Sequence, residues 1–142
     1  MRILLLLLLA LPAFAAPLAD CRQVAEQLNR ELPAKLDAPR LAATLSELNQ
    51  HGRLPEDYLD KRAAKDQGWR PGQPLPAGKS IGGDRFGNFE GRLPRGDWRE
   101  ADLDYRGGKR NAKRLIYEPR QTGRRYVTVD HYQQFTEIPA CR

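Results

Sequence analysis

The chain has few of the side chains used for metal and nucleophile chemistry: of 142 residues, two are cysteine and two are histidine. It contains no HExxH, no GxSxG and no GxxxxGK[ST]. A zinc-hydrolase site, a nucleophile elbow and a phosphate-cradling P-loop are therefore unsupported, and neither a metal nor a cofactor is expected. Apolar runs are missing beyond the opening segment. That segment carries Arg2, a leucine-rich stretch and Ala13-Phe14-Ala15, a small-x-small cleavage signal. It reads as a secretory leader over residues 1–15, cleaved near Ala15, because the apolar stretch is too short for a good membrane span. A retained anchor, or lipidation at Cys21, is the weaker alternative. The mature protein is expected to be secreted or periplasmic, without a membrane anchor.

What the chain does have is positive charge. The formal net charge is +6, and removing Arg2 with the leader takes it from +6 to +5. A basic surface attracts polyanions such as RNA, DNA or an anionic envelope, and says nothing about fold. The two cysteines, Cys21 and Cys141, sit near the two ends of the mature chain. In an exported protein one disulfide between them is the natural pairing, and two free thiols are the alternative. A chain of this length supports one compact core. Residues 16–52 are expected to form a helical segment that makes a single domain with a sheet-bearing core over 53–142.

Local patterns place the elements. Val24, Leu28 and Leu32 recur at four-residue spacing, which predicts an amphipathic helix from about Cys21 to Leu32, stopped or bent by Pro33. Asp37 precedes Ala38 and Pro39 as an N-cap with proline in the first turn. Leu41, Leu45 and Leu48 then form an apolar stripe up to Gly52. A third short helix is expected from near Glu56 to Gly68. The Pro- and Gly-rich stretch that follows excludes regular structure, and short strands begin at Ile81.

The charged run "WREADLDYRGGKRNAKRLIY" has a strand pattern beneath it. If 98–105 is extended, Ala101, Leu103 and Tyr105 share one face, and Trp98, Glu100, Asp102 and Asp104 the other. The next strand, near Lys113 to Glu118, sets Leu115 and Tyr117 opposite Arg114 and Ile116. Antiparallel pairing would bring Arg114 beside Glu100 or Asp102. Two further strands, Arg124 to Val129 and Gln134 to Ile138, flank "DHYQ" as a turn. Helices first and an antiparallel meander afterwards indicate an α+β fold, with the helices packed on one face of a twisted sheet. The other face is left free.

Glutamate, histidine and arginine together suit the attack of a ribose 2′-hydroxyl on its own 3′-phosphate. A base takes the 2′ proton, an acid protonates the departing 5′ oxygen, and fixed cations stabilise the charge on phosphorus. The residue types alone are common. The ordered motifs are not: "LPEDYLDKRAAKDQGW", "PAGKSIGGDRFGNFEGRLP", "WREADLDYRGGKRNAKRLIY" and "TVDHYQQFTEI" together resemble the bacterial guanyl-specific ribonucleases over roughly Leu54 to Ile138. That resemblance implies a small α+β microbial-ribonuclease fold. It also implies metal-independent cleavage of single-stranded RNA after guanosine, through a 2′,3′-cyclic phosphate.

Residue by residue, the resemblance implies Glu100 as general base and His131 as general acid. Arg110 and Arg114 correspond to phosphate-binding arginines, Lys61 to a lysine that assists them, and Tyr132 to a tyrosine beside the histidine. Asp102 corresponds to a buried acid that holds the arginines, and Asp84 to a structural aspartate. Lys113 is expected to be a solvated bystander. In "FGNFEG", Glu90 would accept from guanine N1 and N2 while the backbone of Gly87, Asn88 and Phe89 faces the base acceptors. Adenine cannot reproduce that pairing.

Here the chain departs from the bacterial pattern. Phe89 stands where that branch has arginine, whereas the fungal branch has an aromatic residue there that covers the base. Phe89 is expected to act as such a lid; the alternative is a ring tucked against Phe86. A barstar-like inhibitor protein is the partner the family suggests, but the arginine it would use is the one Phe89 replaces. A monomer that binds single-stranded RNA is expected. The competing functions are a catalytically silent basic RNA-binding protein and an antibacterial ribonuclease toxin. A base that must be ionised and an acid that must be protonated predict a bell-shaped pH profile.

Overall fold

The computed structural model describes residues 9–13 and 17–142. Apart from residues 9–13, the expected leader and its cleavage point lie outside the described residues. Helix α1 spans Cys21–Glu31 and α2 spans Ala38–His51. Both begin at an aspartate whose side chain accepts a backbone N–H: Asp20 from Arg22 and Asp37 from Arg40. Gly52 ends α2 in the left-handed region at φ 72°, where a Cβ would be strained.

Six strands follow in chain order across one sheet: β1 Tyr58–Leu59, β2 Ser80–Phe86, β3 Trp98–Asp102, β4 Arg114–Tyr117, β5 Arg125–Thr128 and β6 Thr136–Ile138. Every neighbouring pair is antiparallel except β1 and β2, which are parallel. This is the α+β architecture read from the sequence, with two corrections. The third helix, α3, covers only Lys61–Asp66. Tyr58 and Leu59 join the sheet instead, and Asp60 caps α3 by accepting from Ala63 N at 2.7 Å. A cap at Asp60 competes with any earlier helix start, because its backbone is extended.

The second correction concerns the acidic strand. β3 ends at Asp102, since Asp104 takes φ 56°, and alternation therefore stops before 105. Asp104 does not share the Glu100 face. Its carboxylate accepts from Asp37 N at 3.1 Å and from Lys113 Nζ at 3.3 Å, tying the start of α2 to the sheet. Lys113, expected to be solvated, also donates to Lys35 O at 2.6 Å.

The main core lies between helices and sheet. Val24, Leu28, Leu41, Leu45 and Leu48 meet Ala101, Leu103, Leu115, Tyr117 and Val127 there. On the opposite face Trp98 and Ile116 are buried beneath Phe86, Tyr126, Tyr132 and Phe135. A third cluster, with Trp69, Leu75 and Ile81, buries Tyr105 apart from both faces. Cys21 and Cys141 form a buried disulfide, with Cα atoms 4.9 Å apart and a sequence separation of 120. Among the described residues no helix is long and apolar enough to cross a membrane.

Candidate active site

Alternation in β3 and β4 builds one wall of the site. The register sets Asp102 opposite Arg114 and Glu100 opposite Ile116, so the sequence expectation of an arginine beside the acids resolves onto Asp102. Asp102 is 3% exposed. Arg110 grips its carboxylate with two bonds, Nε to Oδ2 at 2.6 Å and an Nη to Oδ1 at 2.8 Å. Paired forks of this kind fix orientation as well as charge, and Asp102 raises the pKa of Arg110 above its ordinary value. Arg114 is almost wholly buried. Its Nε lies 3.1 Å from Asp102 Oδ1 but is not aligned as a hydrogen bond, and its Nη1 donates to Asn111 O at 2.6 Å and Lys113 O at 2.8 Å. Two cations thus share one buried carboxylate. Removing that carboxylate would leave both uncompensated in a desolvated place, a large penalty.

Glu100 is half-buried at the centre of the sheet and accepts a hydrogen bond from Tyr132 Oη at 2.9 Å. Burial pushes the Tyr132 phenol up to about 12; the Glu100 carboxylate adds to the rise, and the Arg114 guanidinium opposes it. The phenol is therefore a donor at any physiological pH. The same ring lies against His131, with centroids 4.6 Å apart, and stacks on Phe86 at 5.4 Å.

His131 is exposed on the β5–β6 turn, where His131 and Tyr132 both have positive φ, 53° and 71°. Such a backbone is costly for residues with a Cβ and persists only when neighbours hold it. Here they do. Asp130 Oδ1 accepts from Gln133 N and Gln134 N at 3.1 and 3.0 Å, and Thr128 Oγ1 donates to it at 2.9 Å. Thr128 Oγ1 in turn accepts from Tyr132 N, and His131 N donates to Ala112 O at 3.0 Å. The Gln134 N–H and these other bonds lower the pKa of Asp130, so the turn is held by a carboxylate that stays ionised.

Lys61 opens α3, and its backbone N–H donates to Asp84 Oδ2 at 3.0 Å. Asp84 is the register partner of Glu100 in β2, which ties the position of Lys61 to the centre of the sheet. Asn88 and Glu90 lie on the loop between β2 and β3. The Asn88 side chain accepts from Leu93 N at 3.1 Å and donates to Leu93 O at 2.9 Å, cinching the loop. Glu90 is exposed and pairs with Arg92 Nε at 2.8 Å, while Arg92 reaches across to donate to Gln133 O. A cavity of about 150 Å³ opens between this loop and the histidine turn, lined by Phe86, Asn88, Phe89, Glu90, Arg92 and Tyr132 among others. Phe89 is 99% exposed at its edge, against Gly87, so the alternative of a ring tucked on Phe86 is not what forms. A wider cleft of about 760 Å³ near Cys141 contains none of the residues named for chemistry.

Sequence reasoning missed Arg92 and a second ion cluster at the β4–β5 hairpin. Glu118 is buried, and bonds from Arg124 hold its carboxyl down to about 2. A charge of each sign on the two shoulders of a hairpin was the available signal.

Comparison with known proteins brings this geometry into a group. A family model described as ribonuclease matches residues 42–139. Over 98 residues the chain is 45% identical to ribonucleases of Bacillus intermedius and Bacillus pumilus, a match covering 64% of this chain and 59% of each relative. A ribonuclease of Heyndrickxia coagulans is 44% identical over 98 residues, covering 64% of this chain and 88% of the relative. The chain therefore spans a little under three-fifths of the two Bacillus relatives. Both cysteines and all of α1 fall outside the matched segment.

Proposed function

Because the chain belongs to the ribonuclease family, we propose that it is an exported, monomeric endoribonuclease that cleaves single-stranded RNA after guanosine without a metal. The observation that carries this reading is Tyr132, one ring that touches the His131 imidazole and donates to the Glu100 carboxylate. Two groups able to move protons thereby face one side of the sheet, beside arginines already fixed by Asp102.

In the first step Glu100 takes the proton of the ribose 2′-hydroxyl. The 2′ oxygen bonds to phosphorus, the bond from phosphorus to the 5′ oxygen breaks, and His131 gives that oxygen a proton. Arg110 and Arg114, with Lys61 nearby, meet the charge that grows on the non-bridging oxygens. Their orientation is set before substrate arrives, so little reorganisation is needed during the step. In the second step the roles reverse. His131 takes a proton from water, the water oxygen bonds to phosphorus as the bond from phosphorus to the 2′ oxygen of the cyclic phosphate breaks, and Glu100 gives its proton to the departing 2′ oxygen.

The base would sit in the 150 Å³ cavity. Glu90 accepts from guanine N1 and N2 once Arg92 swings aside or shares the carboxylate, and the cinched loop carries the backbone of Gly87, Asn88 and Phe89 to the base acceptors. Phe89, exposed at the mouth, closes over the base. That Phe89 stands in place of the arginine such a partner would use counts against a barstar-like inhibitor. Incubating the mature protein with defined RNA in EDTA should give cuts on the 3′ side of G; cleavage that requires magnesium, or that ignores G, would defeat the mechanism. Stacking of a base on an aromatic ring is worth roughly 1–3 kcal/mol. Phe89→Ala should accordingly lower kcat/KM on guanosine substrates by on the order of tenfold, and an unchanged value removes the lid.

A further inference from the structure

The loop between β2 and β3, residues 87–97, is secured at two ends by different means. At its start Asn88 holds Leu93 through two hydrogen bonds, and the same amide reaches Pro94 O at 3.4 Å. At its far end the β4–β5 hairpin supplies the support. Arg124 donates through an Nη to Arg95 O at 3.0 Å and stands 5.0 Å over the ring of Trp98, whose Nε1 donates to Pro94 O at 2.8 Å. The Arg124 guanidinium is itself fixed: Nε donates to Glu118 Oε1 at 2.8 Å and an Nη to Oε2 at 3.3 Å. Glu118 also receives Arg124 N at 2.8 Å, so the carboxylate clamps both the backbone and the side chain of one residue. Among the described residues, neither Arg124 nor Glu118 has a hydrogen bond or ion pair to Glu100, His131, Arg110 or Arg114.

We propose that Arg124 is a positioning residue for guanine selection: it braces the Pro94–Arg95 end of the loop whose other end presents Asn88 and Glu90. This inference rests on the reading of that loop as the guanine site. The physical case is one of preorganisation. A loop that must become ordered when the base enters loses binding energy in proportion to the freedom it gives up, and two fixed ends remove that loss. The brace requires an arginine. A planar fork can bond a carboxylate on one side and a carbonyl on the other while stacking on an indole, whereas a lysine ammonium is a single point of charge. The base selectivity of the site is therefore set in part from a hairpin two strands away from the loop it controls.

Steady-state cleavage of GpA and ApA by the wild type, Arg124→Ala and Arg124→Lys tests this. Arg124→Ala should raise KM for GpA about tenfold, the worth of one charge-assisted hydrogen bond at the base, with kcat unchanged. On ApA, which makes no bond to Glu90, kcat/KM should stay at the wild-type value, so the preference for G over A falls by the same factor. Arg124→Lys keeps a cation beside Glu118 and should recover thermal stability without recovering the preference, and it decides the matter if the alanine variant does not fold. A variant that melts earlier yet keeps the wild-type ratio, or one that loses kcat equally on both substrates, overturns the proposal while leaving the guanine site standing. A wild type that treats GpA and ApA alike removes the guanine reading and this inference with it.

Discussion

Replacing Glu100 with glutamine is expected to cut GpA turnover by about 10²–10⁴, the usual contribution of a positioned general base, while RNA binding persists. Glutamine is nearly isosteric and still accepts from Tyr132 Oη, so the contact that links it to the histidine turn survives. Only the capacity to take the 2′ proton is lost. Wild-type turnover in the glutamine variant would mean that some other group takes the proton. A catalytically silent RNA-binding protein, by contrast, would show no cleavage in either form.

The second large effect is on stability. Cys21→Ala with Cys141→Ala should lower the unfolding free energy by about 5 kcal/mol, the chain-entropy value for a loop this long, and lower Tm on the order of 15 °C. The bridge closes 120 residues and draws the start of α1 to the chain beyond β6. Parallel support at that junction comes from Arg142 N bonding Ala19 O at 2.9 Å and Asn49 Nδ2 bonding Cys141 O at 2.9 Å. Guanidinium unfolding of the double variant measures the difference, and equal midpoints would show that these bonds and the core hold the ends without the bridge. Activity at low temperature should be retained, since neither cysteine lies near Glu100 or the histidine turn in the site described above.

Much of the fold was legible in the residues. Asp37, the leucine stripe and Gly52 define α2 because caps and periodicity act within a few positions of themselves. The pairing of β3 with β4 was legible because the spacing of apolar residues fixes which face each side chain takes, and a slip of one residue would turn Glu100 into the helix-facing core. Where local signals compete, the reading failed. Glu56 to Asp60 carries helix formers, yet Tyr58 pairs with Ser80, and the Tyr58 hydroxyl donates to Asp102 O at 2.7 Å; tertiary contacts outweigh a weak propensity there. Asp104 looked like a strand residue until its carboxylate found Asp37 N and Lys113.

The site divides in the same way. Motif order alone singled out Glu100, His131, Arg110, Arg114, Lys61 and Glu90, and alternation alone put Glu100 and Arg114 on the face away from the helices. Residue types and short-range periodicity suffice for that, being properties of neighbours along the chain. Motif order also named Asp102 as the holder of the arginines, as the ion pairs have it; only the folded chain decided that Tyr132 joins His131 to Glu100 and that Arg124 reaches Arg95 from another hairpin. Apart from the neighbours His131 and Tyr132, those contacts join residues between 8 and 32 positions apart. Most of them depend on hydrogen-bond angles and on side chains meeting across strands, which no pattern along the chain specifies.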